Sequence, residues 1–207
     1  RNPALLLGTR PFPGLILTNR QKLERLEGLG VQAVAVVDFS EELSKLSGKA
    51  FIGLLQQALA IRRIVVGHNF RFGWHRDTDA AGLAAMLAGT GTEVLGEGPV
   101  LSRGGVVSSS RIRKSIQEAA FAEAREMLLA EHALDLREVP GRLDADGVLR
   151  VSRAQVAQVL PPDGRYAVTC RDGEGGAAEA ELAIGRESLA LDGPGAAGAV
   201  EVIFAHR

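Results

Sequence analysis

The chain has one cysteine, Cys170, in 207 residues. No disulfide can form within it, so its stability must come from a packed core. A reducing compartment fits, and a cytoplasmic protein is expected. Aromatic residues make up only 4% of the chain. No apolar run approaches the ~18 residues that span a bilayer. No signal peptide is visible either, so no membrane partner is expected. The formal net charge is −1, which supplies no basic field for holding nucleic acid. The chain contains no Gly-x-x-x-x-Gly-Lys-Ser/Thr loop, no Gly-x-Ser-x-Gly elbow and no repeat at solenoid spacing. The first residue is Arg1 rather than Met, from which a gene product beginning earlier is expected. What remains is ordinary for a globular chain: 46% hydrophobic and 24% charged. The length suits one large domain, or a medium one with a smaller one attached.

Residues 15–132 alternate between helical and strand patterns. In "LTNRQKLERLEGLG", Thr18 and Gln21 have capping-box spacing, Leu23 and Leu26 share a face, and Gly28 and Gly30 end the helix. "VQAVAVV" (31–37) reads as a short valine-rich strand. "GKAFIGLLQQALA" reads as a helix burying Phe51, Leu54, Leu55 and Leu59. "RRIVVG" (62–67) and "TEVLGE" read as further strands. Between them "DAAGLAAMLAGTG" is a small-residue helix that follows a cap region at Asp77–Asp79. "SSSRIRKSIQEAAFAEAREMLLAEH" is helical, with a break expected near Ala119. Such alternation predicts a parallel sheet covered by helices. After about Leu136 the texture changes to short alternating strands separated by "DADG", "PPDG", "DGEGG" and "DGPGAAG". That pattern predicts a small antiparallel barrel without a long helix. The boundary falls near 133–139, giving units 1–135 and 136–207.

Two stretches carry candidate chemistry. "VVGHNFRFGWHRDTD" (65–79) crowds Phe70, Phe72, Trp74, His68, His75, Arg71 and Arg76 into one turn. It follows a strand, and ligands of open α/β folds bind at the carboxyl ends of strands. Gly67 and Gly73 permit tight turning. Asn69 can pair with a base edge or hydroxyl. One of Phe70 and Phe72 is expected to pack inward and the other to face the ligand. The stretch is either a ligand wall or an aromatic-stapled turn. His68 and His75 with Asp77 or Asp79 could hold a metal, but a spacing of seven is no standard zinc signature; no metal is assigned. In "VVSSSRIRK" (106–114), Ser108, Ser109 or Ser110 must cap a helix. A helix start also attracts phosphate, and Arg111 and Arg113 on the first turn oppose the dipole unless an anion is bound. Cys170, in an alternating strand, reads as packed rather than nucleophilic.

"VVGHNFRFG" followed about 35 residues later by "VVSSSRIR" resembles the adenylyltransferase module of bacterial bifunctional riboflavin kinase/FAD synthetases. The flanks agree. "LILTNRQKLERLEGLGV" is similar to the family's Leu-Thr-x-x-x-Lys-x-x-x-Leu-x-x-Leu-Gly-Val helix, and "FSEELSKLSGKAFIGLL" to its segment ending in Leu-Ser-x-x-x-Phe. The resemblance covers about residues 13–130. It implies a Rossmann-like nucleotidyltransferase domain with a parallel sheet, followed by a small antiparallel β-barrel-like domain. It implies that ATP and FMN, with Mg²⁺, become FAD and pyrophosphate, so that the partners are a nucleotide and a flavin. Carried over by motif, Gly67, Asn69, Phe70, Phe72, Gly73 and Asp79 fall at the flavin and nucleotide site. Ser108, Ser109, Ser110 and Arg113 fall at the ATP phosphates.

There are departures. The family's His-x-Gly-His is absent from these 207 residues and would lie before Arg1. The arginine preceding the serine motif is Val106, and the glycine of the family's Gly-Asp is Thr78. "LPPDGRYAV" and "AVEVIFAHR" resemble strands of the riboflavin kinase barrel, but the Gly-Phe-Pro-Thr-Ala-Asn motif is missing. A degenerate barrel without kinase activity is therefore expected. The alternatives are a flavin- or nucleotide-binding pseudoenzyme and a nucleotidyltransferase for another acceptor.

Overall fold

A computed structural model describes residues 13–205. These gather into two compact units. Ala35–Val106 form the first, and Pro13–Val34 with residues 107–205 form the second. The chain opens in the second unit with α1 (Asn19–Gly28). The capping box is present: Thr18 Oγ1 accepts from the Gln21 amide at 3.2 Å, and Gln21 Oε1 accepts from the Thr18 amide at 3.0 Å. On the face that Leu23 shares with Leu26, Leu23 is 38% exposed. Gln21 is the buried residue of the helix, and its side-chain amide donates to the Ala133 carbonyl at 3.1 Å. A buried amide is tolerated there because it is paired.

The expected strand at 31–37 does not form. Val31, Val34, Val36 and Val37 stay exposed. Valine favours extended backbone, but a strand exists only with a partner ladder. No described strand pairs with this run.

In the first unit, Ser40 caps α2 (Glu41–Ser44) and Ser47 caps α3 (Gly48–Ala58). Then come β1 (Arg63–Gly67), β2 (Arg71–Phe72), β3 (Thr78–Asp79), α4 (Ala80–Leu87) and β4 (Glu93–Glu97). A hairpin of β5 (Leu101–Ser102) and β6 (Gly105–Val106) closes the unit. β1 and β4 pair in parallel from Arg63↔Glu93 to Gly67↔Glu97. Among the described residues the expected parallel sheet thus comprises two strands. Ile52, Val66, Leu83 and Leu87 form the core, with Phe51, Leu55, Ile64, Phe72 and Val94 against it. The stripe of α3 is therefore Phe51, Ile52 and Leu55. Leu54 and Leu59 face outward, contrary to the sequence expectation.

The second unit continues with α5 (Ser109–Gln117) and α6 (Phe121–Leu128). The break falls where expected: Ala119 adopts φ 53°, and its amide donates back to the Ile116 carbonyl. Seven strands follow: β7 (Ala133–Asp135), β8 (Gly141–Leu143), β9 (Leu149–Ser152), β10 (Gly164–Asp172), β11 (Ala177–Ile184), β12 (Ser188–Asp192) and β13 (Ala199–Phe204). They pair antiparallel in the order β7-β13-β10-β11-β12-β9-β8. The sheet is curled but remains a half-barrel, because no described pairing joins β8 to β7. The small antiparallel barrel expected from the strand pattern is thus present as a half-barrel. His206 and Arg207, read as part of the last strand, lie outside the described residues.

Alternation builds the main core. Val168 and Cys170, Leu182 and Ile184, Leu189 and Leu191, and Val202 and Phe204 all point to one face. Burial pushes the Cys170 thiol up to about 11, as befits a packed cysteine. Phe204 stacks between Phe121 (4.8 Å) and His132 (5.4 Å). The Asp-Gly turns work as read. Asp144 accepts from the Asp146 and Val148 amides, and Asp172 from those of Glu174 and Gly176.

Candidate functional site

The loop after β1 lies wholly in the first unit. Gly67 ends the strand, and the Phe70 amide donates to its carbonyl at 2.9 Å. Asn69 is exposed in the turn. Phe70 and Phe72 do not diverge cleanly, because their rings stack at 5.2 Å. Phe72 also meets Phe51 edge-on at 5.9 Å and packs on the core, while Phe70 is 37% exposed. Gly73 has φ 82°, and a Cβ there would collide with Asp77 Oδ1 and the Gly48 amide nitrogen, so glycine is required. Trp74 is exposed, with its ring edge-on to His75 at 4.3 Å. Asp79 caps α4 by accepting from the Gly82 amide at 2.9 Å and pairs with Arg71 at 3.6 Å. The Gly82 amide, with help from Arg71, holds its carboxyl below the usual carboxylate range. Part of the aromatic crowding is therefore packing: Phe51, Phe72 and Phe70 form one continuous contact.

The remaining part faces a cleft. Phe72 and Gly73, with Val37, Phe39, Leu43, Leu46 and Phe51, wall a space of about 300 Å³ in which Ser44 contributes the lone polar side chain. A concave, apolar space with few polar groups has the usual character of a small-molecule site. Sequence reasoning missed Phe39, Leu43 and Leu46 as cleft residues. The signal was in "FSEELSKLS", whose apolar residues at spacings of three and four outnumber what a four-residue helix buries in its own core.

The serine motif belongs to the second unit. Ser108 is the N-cap of α5, accepting from the Arg111 amide at 3.3 Å. Ser109 and Ser110 open the first turn and are exposed. The two arginines of the first turn have partners within the chain. Arg111 meets Glu123 Oε1 through Nε at 3.2 Å and Nη2 at 2.7 Å. Glu123 Oε2 in turn accepts from Ser115 at 3.0 Å. Arg113 Nε donates to the Gly14 carbonyl at 2.8 Å. The free amides of the helix start remain an anion-attracting feature. Glu123 and Ser115 were not singled out in the sequence, because a pair twelve residues apart across a helix break leaves no periodic trace.

Among the described residues no three His, Cys, Asp or Glu side chains gather as a metal cage. Asp77 and Asp79 accept from backbone amides. No described helix is long and apolar enough to cross a membrane.

An α/β unit with a glycine- and phenylalanine-rich loop after a strand, and a second unit in which a serine-capped helix precedes a curled antiparallel sheet, define the class. The family model for FAD synthetase matches residues 1–111, and the chain belongs to that family. The bifunctional riboflavin kinase/FMN adenylyltransferase of Escherichia coli (strain K12) is 30% identical over 175 residues, covering 80% of this chain and 54% of that protein. That of Listeria monocytogenes is 28% identical over 129 residues, covering 57% and 41%. The chain thus spans about half the length of the curated relatives it matches. A solved structure described as a macrolide-efflux protein from Streptococcus pneumoniae has a TM-score of 0.77 over 96% of this chain and 70% of its own, at 20% identity. At that identity the likeness concerns the fold alone.

Proposed function

We propose that the protein transfers AMP from ATP to FMN, giving FAD and pyrophosphate. A phosphate oxygen of FMN attacks the α-phosphorus of ATP. The new oxygen–phosphorus bond forms as the bond to the β-phosphate breaks, and pyrophosphate leaves. Such a transfer asks for positioning and charge neutralisation more than covalent help. The observation that carries the reading is the apolar cleft walled by Phe72 and Gly73 of the family's loop, a seat for the ring of the flavin. The amides and hydroxyls at the start of α5, with Ser108, Ser109 and Ser110, would hold phosphate oxygens. Arg113, whose Nε donates to the Gly14 carbonyl, is the arginine that the motif would set at the ATP phosphates. Mg²⁺ would arrive on the triphosphate and neutralise its charge there.

A second reading has its own observation. Val106 stands where the family's motif has an arginine and Thr78 where it has a glycine, and a site altered in this way would bind flavin without transferring AMP. One assay separates the two. Purified protein is incubated with FMN, ATP and Mg²⁺, and the flavins are resolved by chromatography. FAD formation supports the transferase. Saturable FMN binding without FAD supports the binding protein, and absence of both removes the flavin reading. Riboflavin offered in place of FMN should not become FMN, given the missing Gly-Phe-Pro-Thr-Ala-Asn.

A further inference from the structure

Thr78 departs from the family pattern, and a second departure-sized feature lies against it. Thr78 is 2% exposed, and its hydroxyl donates to Asp77 Oδ1 at 2.8 Å. The same carboxylate accepts from the Gly48 amide, at 3.0 Å through Oδ1 and 3.2 Å through Oδ2. Gly48 opens α3, and a Cβ there would run into the Thr78 side chain. Threonine at 78 therefore requires glycine at 48, thirty residues away and in the same unit. The turn they close is strained. Gly73, His75 and Arg76 take φ of 82°, 54° and 60°, and two of these are side-chain-bearing residues in the left-handed region. Such conformations persist when their surroundings over-determine them. Here the fixing contacts are Asp77 on Gly48 and the Trp74 amide on the Leu46 carbonyl at 2.7 Å. Both tie the turn to the segment entering α3, and the two together line the cleft: Leu43, Leu46 and Phe51 come from α2 through α3, Phe72 and Gly73 from β2 and the turn.

We propose that Asp77 is a positioning residue that sets the width of the flavin cleft, by clasping the Gly73–Thr78 turn to the start of α3 through Gly48 and Thr78. This rests on the flavin reading of that cleft. Asp77 touches no ligand in this role. It fixes the distance between two walls, and the Gly48/Thr78 pairing fixes which carboxylate position is possible.

The full chain carrying Asp77→Ala, Asp77→Asn, Gly48→Ala, or Gly48→Ala with Thr78→Gly tests this. Two readouts need no ligand: hydrogen exchange at the Gly48 amide, and emission of Trp74, the single tryptophan. The third is FMN affinity by flavin fluorescence. Asp77→Ala should speed Gly48 exchange and weaken FMN binding by about tenfold or more, as loss of a charge-assisted contact implies. It should also shift Trp74 emission while β10 amides stay protected. Asp77→Asn keeps an accepting oxygen and should recover most of the affinity. Gly48→Ala should weaken FMN binding, and adding Thr78→Gly should restore it by removing the collision. Unchanged Gly48 exchange and Trp74 emission in Asp77→Ala would overturn the clasp, as would full FMN affinity in Gly48→Ala. If the ligand-free readouts move while the unaltered chain binds no FMN, the flavin reading falls and the role in setting a flavin cleft falls with it. The clasp then stands as a loop anchor only.

Discussion

His132 is 1% exposed, its Nε2 lies 3.3 Å from the Val159 carbonyl, and its ring stacks on Phe204. Among the described residues its Nδ1 has no hydrogen-bond partner. Burial lowers it to about 4, a shift opposed by the Val159 carbonyl and assisted by Arg25. The folded state thus binds its proton less readily than the unfolded chain, whose histidines titrate near 6.5. The stabilisation is complete above about pH 6.5 and is lost as pH falls towards 4, a swing on the order of 3 kcal/mol. His132→Phe keeps a ring on Phe204 and removes the titration. Its urea midpoint should fall less between pH 6.5 and 4.5 than that of the unaltered chain, and equal slopes would dismiss His132 as the source. Nothing in "AEHALD" announces a neutral buried histidine, because its burial is set by Val159 and by Phe204 of β13, far along the chain. Gly73 was legible, since a glycine between aromatic residues in a turn asks for a positive φ.

The helices whose ends are coded by neighbours three residues away were readable: Thr18 with Gln21 for α1, Asp79 for α4, the serines for α5. Thr18→Ala should cost about 1 kcal/mol from the cap alone. It should cost more in the chain, because Thr18 Oγ1 also donates to Asp135 at 2.9 Å. Urea unfolding of Thr18→Ala beside Thr18→Ser, which keeps both bonds, measures the difference; equal losses would show that the methyl group rather than the hydroxyl matters. Residues 31–37 were misread for a different reason. Propensity is a property of seven residues, whereas pairing needs a second segment that no window of sequence contains. The same limit applies to α3, where the sequence reading chose Leu54 and the packing with Val66 of β1 and Leu83 and Leu87 of α4 selects Ile52. For the candidate site, the glycine–phenylalanine loop and serine motif were visible as strings. The Asp77–Gly48 contact and the far wall of the cleft were not, because they join segments thirty residues apart.

The two units are unequally built. Among the described residues, four buried apolar side chains form the core of the first, while the curled sheet of the second encloses twelve. Since burial dominates stability, the first unit should open at lower urea, followed through Trp74, and the sheet at higher urea. FMN at 100 times its dissociation constant should stabilise only the earlier transition, by about 2.7 kcal/mol. A shift confined to the later transition would place the flavin on the sheet unit and contradict the cleft assignment. The sheet supplies its own clock. Cys170 is the single thiol, 2% exposed and held in its unreactive protonated form. A thiol-specific dye can reach it only in the moments when β10 parts from its neighbours. Each labelled molecule then records one such opening. In excess dye under native conditions, the labelling rate should be set by how often the sheet opens and be insensitive to a ligand seated in the other unit.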